Sequence, residues 1–193
     1  MLFLAEIFAL GKENELSLRS LTQIFVTLQE ETINDRLTKQ ICDMNIGDKA
    51  PELLGRDQDG REIKMSDFRG RKLVLYFYPK DSTPGCTNEA CNLRDNYERM
   101  LSKGYAVVGV SVQDERSHKK FIEKYSLPFP LIADTEHMLV EAFGVWGEKK
   151  MAGRTYMGTF RTTFVINEEG VVEEVFGPKQ IKVKEHAAQI LPE

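Results

Sequence analysis

The sequence predicts an α/β fold, a mixed central sheet flanked by helices with a helical extension at the N-terminus, and three observations carry that prediction. Continuous apolar runs at residues 73–78 (LVLYFY) and 105–112 (YAVVGVSV) read as strands buried on both faces of a sheet. A helical stretch follows each run, and this alternation implies parallel pairing through right-handed crossovers. Towards the C-terminus, residues 161–166 (RTTFVI) and 171–176 (VVEEVF) flank a turn at 167–170, which adds an antiparallel hairpin and makes the sheet mixed.

Residues 1–43 read as a helical N-terminal extension and residues 44–193 as the main domain. In the extension Leu18, Leu21, Ile24, Phe25 and Leu28 recur at helical spacing, as do Ile33, Leu37 and Ile41. The segment Thr32-Ile33-Asn34-Asp35 has the form of a capping box that restarts a helix. An amphipathic helix pair of this kind packs on its own domain or on a second copy, so the expected assembly is a monomer or an extension-mediated homo-oligomer. Met44 offers a second start of translation. Within the domain, residues 57–60 read as a hairpin turn, 84 to about 103 as a helix, and 115–125 as another that ends before Pro128. A short strand at 131–133, a helix at 135–143 and a closing helix at 183–191 complete the order.

Composition narrows the function. The chain has 193 residues, 41% of them hydrophobic, and a formal net charge of -4 with both signs interspersed, which excludes the basic face that nucleic acid requires. The longest apolar stretch, residues 1–10, is broken by Glu6, has no preceding Lys or Arg and no cleavage site after it; it reads as neither a secretory signal nor a membrane span. Cys42, Cys86 and Cys91 are too few and too odd in number for a disulfide framework, which points to a reducing, cytoplasmic setting. No C-x-x-C pair exists, and His118, His137 and His186 fall at no ligand-like spacing from the cysteines, so neither a metal nor another cofactor is expected.

The chemistry concentrates at residues 79–91, PKDSTPGCTNEAC, where the first long strand ends and a helix begins, the usual place for ligands in open α/β sheets. Thr83 suits an N-cap and Pro84 the first helical position, which puts Cys86 third, inside the first turn. Unpaired backbone N–H groups and the helix dipole favour an anion there, so the Cys86 thiol is expected to ionise more easily than a free one at about 8.5. Full ionisation at neutral pH raises the reactive fraction by roughly thirtyfold, about 2 kcal/mol. The rest of an enzymatic rate needs a substrate held in line and fixed donors for the departing charge. The Thr83 hydroxyl, the Cys86 N–H and a buried arginine would meet that need. Arg161 is the candidate arginine, because it interrupts an apolar and Thr-rich strand over residues 159–166, where a charge requires a partner; a solvated strand edge is the alternative explanation. Arg71 and Arg94 are further candidates.

Cys91 follows Cys86 by five positions. On a continuous helix their Cα atoms would stand about 8 to 9 Å apart on different faces, whereas a disulfide needs less than about 7 Å. If the two join, the first turns of the helix must unwind. Without such a bond Cys91 is a small buried hydrophobe, the commonest role of a free cysteine.

These residues resemble a family. Pro79, Thr83 and Cys86 fit the P-x-x-x-T-x-x-C signature of peroxiredoxins, and Y-F-Y-P-K-D-x-T-P-G-C-T-x-E-A-C resembles the bacterioferritin comigratory protein or peroxiredoxin Q subgroup of the AhpC/TSA family. Further likeness at residues 47–51 (GDKAP), 127–130 (LPFP), 145–150 (VWGEKK) and 161–164 (RTTF) extends it over about residues 45–191. The resemblance implies a thioredoxin-like fold and an atypical 2-Cys peroxidase for hydrogen peroxide and organic hydroperoxides. It further implies Cys86 as the peroxidatic thiol passing through a sulfenic acid, Thr83 and Arg161 completing its pocket beside Pro79, Cys91 resolving within the chain, and thioredoxin as reductant. Cys42 has no counterpart in the pattern. Competing readings are a disulfide oxidoreductase, which would need the missing C-x-x-C; a cysteine hydrolase, which would need a histidine base beside the thiol motif; and a binding module with an inert Cys86.

Overall fold

The computed structural model describes residues 44–191 with the exception of Ala152. The helical extension at 1–43, and Cys42 with it, lies outside the described residues.

The core is a five-stranded sheet built from β3 (Lys72–Phe77), β4 (Tyr105–Ser111), β5 (Leu131–Ala133), β8 (Thr162–Ile166) and β9 (Val172–Phe176), in the spatial order β5-β4-β3-β8-β9. The pairs β3/β4 and β4/β5 are parallel, and β3/β8 and β8/β9 antiparallel, so the sheet is mixed, as expected. Both long apolar runs are central strands, and every residue of β4 is buried. Side chains alternate across the pleat. Leu73, Leu75 and Phe77 join one apolar cluster with Phe143 and Phe164, while Val74, Tyr76 and Tyr78 join a second with Leu93, Met100 and Phe121.

Helices cover those clusters: α1 (Pro84–Asp95), α2 (Tyr97–Ser102), α3 (Glu115–Tyr125), α4 (Met138–Ala142) and α5 (His186–Ile190). The helix expected over 84 to 103 is divided at Asn96, which leaves helical geometry at φ -106, ψ 7 and bonds through Nδ2 to the Asn92 carbonyl at 2.9 Å. A side-chain amide that competes with the backbone ends a helix in this way. The bounds of α3 match expectation; Asp114 caps it by accepting from the Ser117 N–H at 2.7 Å. Helices α4 and α5 are shorter than the sequence suggested. Asn92 ties α1 to the chain around α5: its Nδ2 donates to the Lys184 carbonyl and its Oδ1 accepts from the Ala187 N–H, both at 2.8 Å.

Two small hairpins stand apart from the sheet. One, β1 (Leu53–Arg56) with β2 (Glu62–Lys64), surrounds the turn read at 57–60. The other, β6 (Trp146–Met151) with β7 (Arg154–Thr159), was not foreseen. It also corrects the strand expected over 159–166: Thr159 ends β7, Thr162 begins β8, and Arg161 lies in the connection between them. The turn at 167–170 is closed by Gly170 N–H to the Asn167 carbonyl at 3.0 Å, with Gly170 at φ +82, a left-handed conformation that favours glycine.

Candidate active site

Helix α1 supplies the reactive end of the site. Thr83 is its N-cap residue and Pro84 occupies the first turn, so Cys86 sits at the third helical position, as the sequence predicted. One detail differs. The Thr83 hydroxyl does not cap the helix but donates to the Lys80 carbonyl at 3.0 Å, fixing the loop before the helix and leaving its oxygen lone pairs free to accept.

Cys86, Glu89, Ala90 and Leu93 form the buried face of α1, at helical spacing. Cys86, 1% exposed, is buried in the apolar cluster that includes Tyr76 and Tyr78, rather than in open solvent. Cys91, on the same unbroken helix, falls off that face and is half-buried; both thiols are unpaired.

Arg161 reaches this face from the β7–β8 connection. Its Nη2 donates to Cys86 Sγ at 3.1 Å, and its Nη1 pairs with Oε2 of Glu89. A Cβ on Gly85 would lie 3.3 Å from Nη2, so the absence of a side chain there lets the guanidinium settle against the first turn. Burial opposes the Arg161 charge, yet Glu89 and Cys86 hold its pKa above the ordinary value. Glu89 has no exposed side-chain surface. Its pKa is raised to about 7 by burial, against the pull of Arg161 in the other direction. Oε1 of Glu89 and the hydroxyl of Tyr76 are buried without a hydrogen-bond partner among the described residues.

A second cation stands nearby. Lys149 on β6 donates to the Thr159 carbonyl at 2.9 Å and lies 5.5 Å from the Phe160 ring centre. Burial and the charge of Arg161 lower its pKa.

Of the sequence-predicted residues, the structure thus brings Cys86 and Arg161 into contact and places Thr83 at the cap. Arg94 instead binds Asp95 and the Tyr125 carbonyl and interacts with Cys91, and Arg71 donates to the Asp67 carbonyl, so neither serves the Cys86 thiol. Glu89 was missed; its signal was the Cys-x-x-Glu spacing, three apart on one helix face. A histidine does stand beside the thiol motif after all, because folding brings His118 to Asp81 with Nδ1 2.9 Å from Oδ2. It is no base for Cys86: its other nitrogen faces the Ile132 carbonyl at 3.1 Å.

Among the described residues no group of three or more His, Cys, Asp or Glu is arranged to hold a metal ion, and no helix is long and apolar enough to cross a membrane.

Known proteins resemble this chain in sequence and fold. Residues 46–175 match the AhpC/TSA family. The Bacillus subtilis peroxiredoxin Bcp is 47% identical over 148 residues, which cover 77% of this chain and 93% of that protein. The Escherichia coli K12 peroxiredoxin Bcp is 44% identical over 133 residues, 69% of this chain and 85% of its own. The solved structure of Xanthomonas campestris peroxiredoxin Q superposes with a TM-score of 0.65 at 36% identity, covering 70% of this chain and 84% of that one. A bacterioferritin comigratory protein from the same organism, studied for its alkyl peroxide reduction, is 33% identical with a TM-score of 0.65, over 74% of this chain and 94% of its own. The fold is therefore thioredoxin-like, and the chain belongs to the AhpC/TSA family as a peroxiredoxin of the Bcp/PrxQ group.

Proposed function

We propose that this peroxiredoxin reduces hydrogen peroxide and organic hydroperoxides through a Cys86 thiolate, that Cys91 resolves the oxidised sulfur within the same chain, and that thioredoxin or a similar dithiol closes the cycle. The observation that carries this reading is the 3.1 Å contact from Arg161 Nη2 to Cys86 Sγ at the N-terminal turn of α1. A guanidinium N–H donated to the sulfur, at the positive end of a helix dipole, stabilises negative charge on it.

In the first step the sulfur attacks one oxygen of the O–O bond. A Cys86 sulfenic acid forms, and the other oxygen departs with the electron pair and is protonated to water or an alcohol. Arg161 stabilises charge on the departing oxygen, and Thr83, whose own proton is committed to Lys80, accepts from the peroxide O–H. Pro79 turns the chain out of β3 towards this loop. In the second step Cys91 attacks the sulfenic sulfur, forming the Cys86–Cys91 disulfide and releasing water. An external dithiol then returns both thiols by exchange. Both cysteines lie on the continuous helix α1, so each cycle unwinds its first turns.

Support for an alkyl hydroperoxide substrate comes from the activity described for the Xanthomonas relative. A cytoplasmic setting agrees with two unpaired thiols five positions apart. The test is Cys86→Ser: hydroperoxide-dependent consumption of dithiol is expected to vanish, and consumption at the wild-type rate would overturn the assignment.

A further inference from the structure

Asp81 lies in the loop between β3 and α1, five positions before Cys86, and is 7% exposed. Its Oδ1 accepts from the Tyr78 hydroxyl at 2.8 Å, and its Oδ2 accepts from the Ser117 hydroxyl at 2.6 Å and faces Nδ1 of His118 at 2.9 Å. His118 belongs to α3 and has no exposed surface; its Nε2 faces the Ile132 carbonyl on β5 at 3.1 Å. Both ring nitrogens therefore meet acceptors. The ring is thereby held between the Asp81 carboxyl and the Ile132 carbonyl, a buried clamp with a partner on each side. Burial pushes the Asp81 carboxyl up, but the bond and charge of His118, with Ser117 and Tyr78, bring it below the ordinary value.

The pair joins three elements at the loop that leads into α1. A second feature marks the same loop: Ser82, next to Asp81, holds φ +57, a left-handed conformation that costs a serine energy unless its surroundings enforce it. A strained backbone is thus held beside a strong clamp, directly before the helix turn that must open for Cys91 to reach Cys86. Removing one partner leaves a buried polar group without its hydrogen bond, so the clamp has one well-defined closed state.

We propose that Asp81 and His118 are positioning residues that hold the 79–83 loop and the first turn of α1 closed, and so set how fast oxidised Cys86 passes to Cys91. The inference rests on the resolving role proposed for Cys91. Two fates compete for the sulfenic acid. Attack by the Cys91 thiol gives the disulfide and water, whereas a second hydroperoxide oxidises the sulfur to sulfinic acid and is itself reduced to water or an alcohol. The clamp favours the second fate by keeping Cys91 away.

The experiment uses the full chain as wild type, Asp81→Asn and Ser117→Ala. Each is reduced, exposed to rising hydrogen peroxide, and analysed by mass spectrometry for disulfide and sulfinic acid. Asp81→Asn is expected to shift the ratio severalfold towards disulfide. Ser117→Ala, which keeps the Asp81–His118 contact and removes one bond, is expected to shift it less in the same direction, and it supplies the measurement if Asp81→Asn fails to fold. A lower melting temperature with an unchanged ratio would overturn the clamp alone. Absence of any Cys86–Cys91 disulfide in the wild type would overturn the role of Cys91, and the clamp with it.

Discussion

Glu89 and Arg161 form an ion pair across 72 positions of sequence in which the carboxylate is wholly buried and the guanidinium is 17% exposed. Because the same guanidinium touches Cys86 with its other nitrogen, Glu89 orients the cation that contacts the sulfur. The fork geometry of arginine suits this double duty in a way that the point charge of lysine does not. Replacing Arg161 with Ala is expected to lower kcat/KM for hydroperoxide by roughly 100- to 1,000-fold, the range for removing a fixed transition-state donor. Arg161→Lys should recover only part of the loss. Stopped-flow oxidation of the reduced protein gives both rates, and a wild-type rate in Arg161→Ala would remove the guanidinium from the chemistry.

Glu89 also makes stability depend on pH. Its folded pKa is raised from 4.5 to about 7, so the folded state holds the proton more tightly than the unfolded chain. The resulting contribution is complete below pH 4.5 and is lost as pH rises through 7. Glu89→Gln cannot titrate. The stability of the wild type relative to Glu89→Gln is therefore expected to fall between about pH 5 and pH 8, as read from urea unfolding at fixed temperature; a difference that grows over that range would contradict the buried carboxyl.

His186 gives the opposite slope. Its Nε2 meets the Thr163 hydroxyl at 2.8 Å and its Nδ1 faces Gln189 Oε1 at 3.2 Å, so Nδ1 carries the proton and Nε2 accepts from Thr163. Burial lowers its pKa from 6.5 to about 4 despite Gln189, with Arg161 adding repulsion. A folded state that resists protonation keeps its full stability above pH 6.5 and loses it as pH falls towards 4, at a slope of up to about 1.4 kcal/mol for each step of one in pH. His186→Gln should flatten that acid limb in the same unfolding series.

Cys91→Ser is expected to retain one round of peroxide reduction, because Cys86 and Arg161 are untouched, and to stall turnover supported by thioredoxin. Its product should be sulfenic or sulfinic acid at Cys86. Peptide mapping of the oxidised wild type decides the pairing: a bridge from Cys86 to Cys42 in place of Cys91 would reassign the resolving step.

Much of this was legible in the chain where the signal is local. The runs LVLYFY and YAVVGVSV became β3 and β4 because strands buried on both faces need unbroken apolar sequence. Thr83 and Pro84 placed Cys86 in the first turn because cap chemistry is read over a few residues. The hairpin β6–β7 escaped because Trp146–Met151 and Arg154–Thr159 present no apolar run, and the outer part of β7 is exposed. Its cross-strand pairing replaces the burial that marks an inner strand. Arg161, singled out from the sequence, does touch Cys86, but it does so from a connection instead of the strand interior expected. Asp81 with His118, 37 positions apart, and Glu89 with Arg161 are pairings made by the sheet and invisible to spacing.

The clasp of Asn92 on Lys184 and Ala187 lies one position beyond Cys91, and that placement sets a limit on the motion that the proposed pairing of Cys86 with Cys91 would need. If the turns before it loosen for that step, Asn92 remains bonded to the end of the domain through Lys184 and Ala187. On that proposal the two sulfurs would meet on a leash of a few residues, at the high effective concentration that a short tether provides. An excursion of one helix end would then be enough.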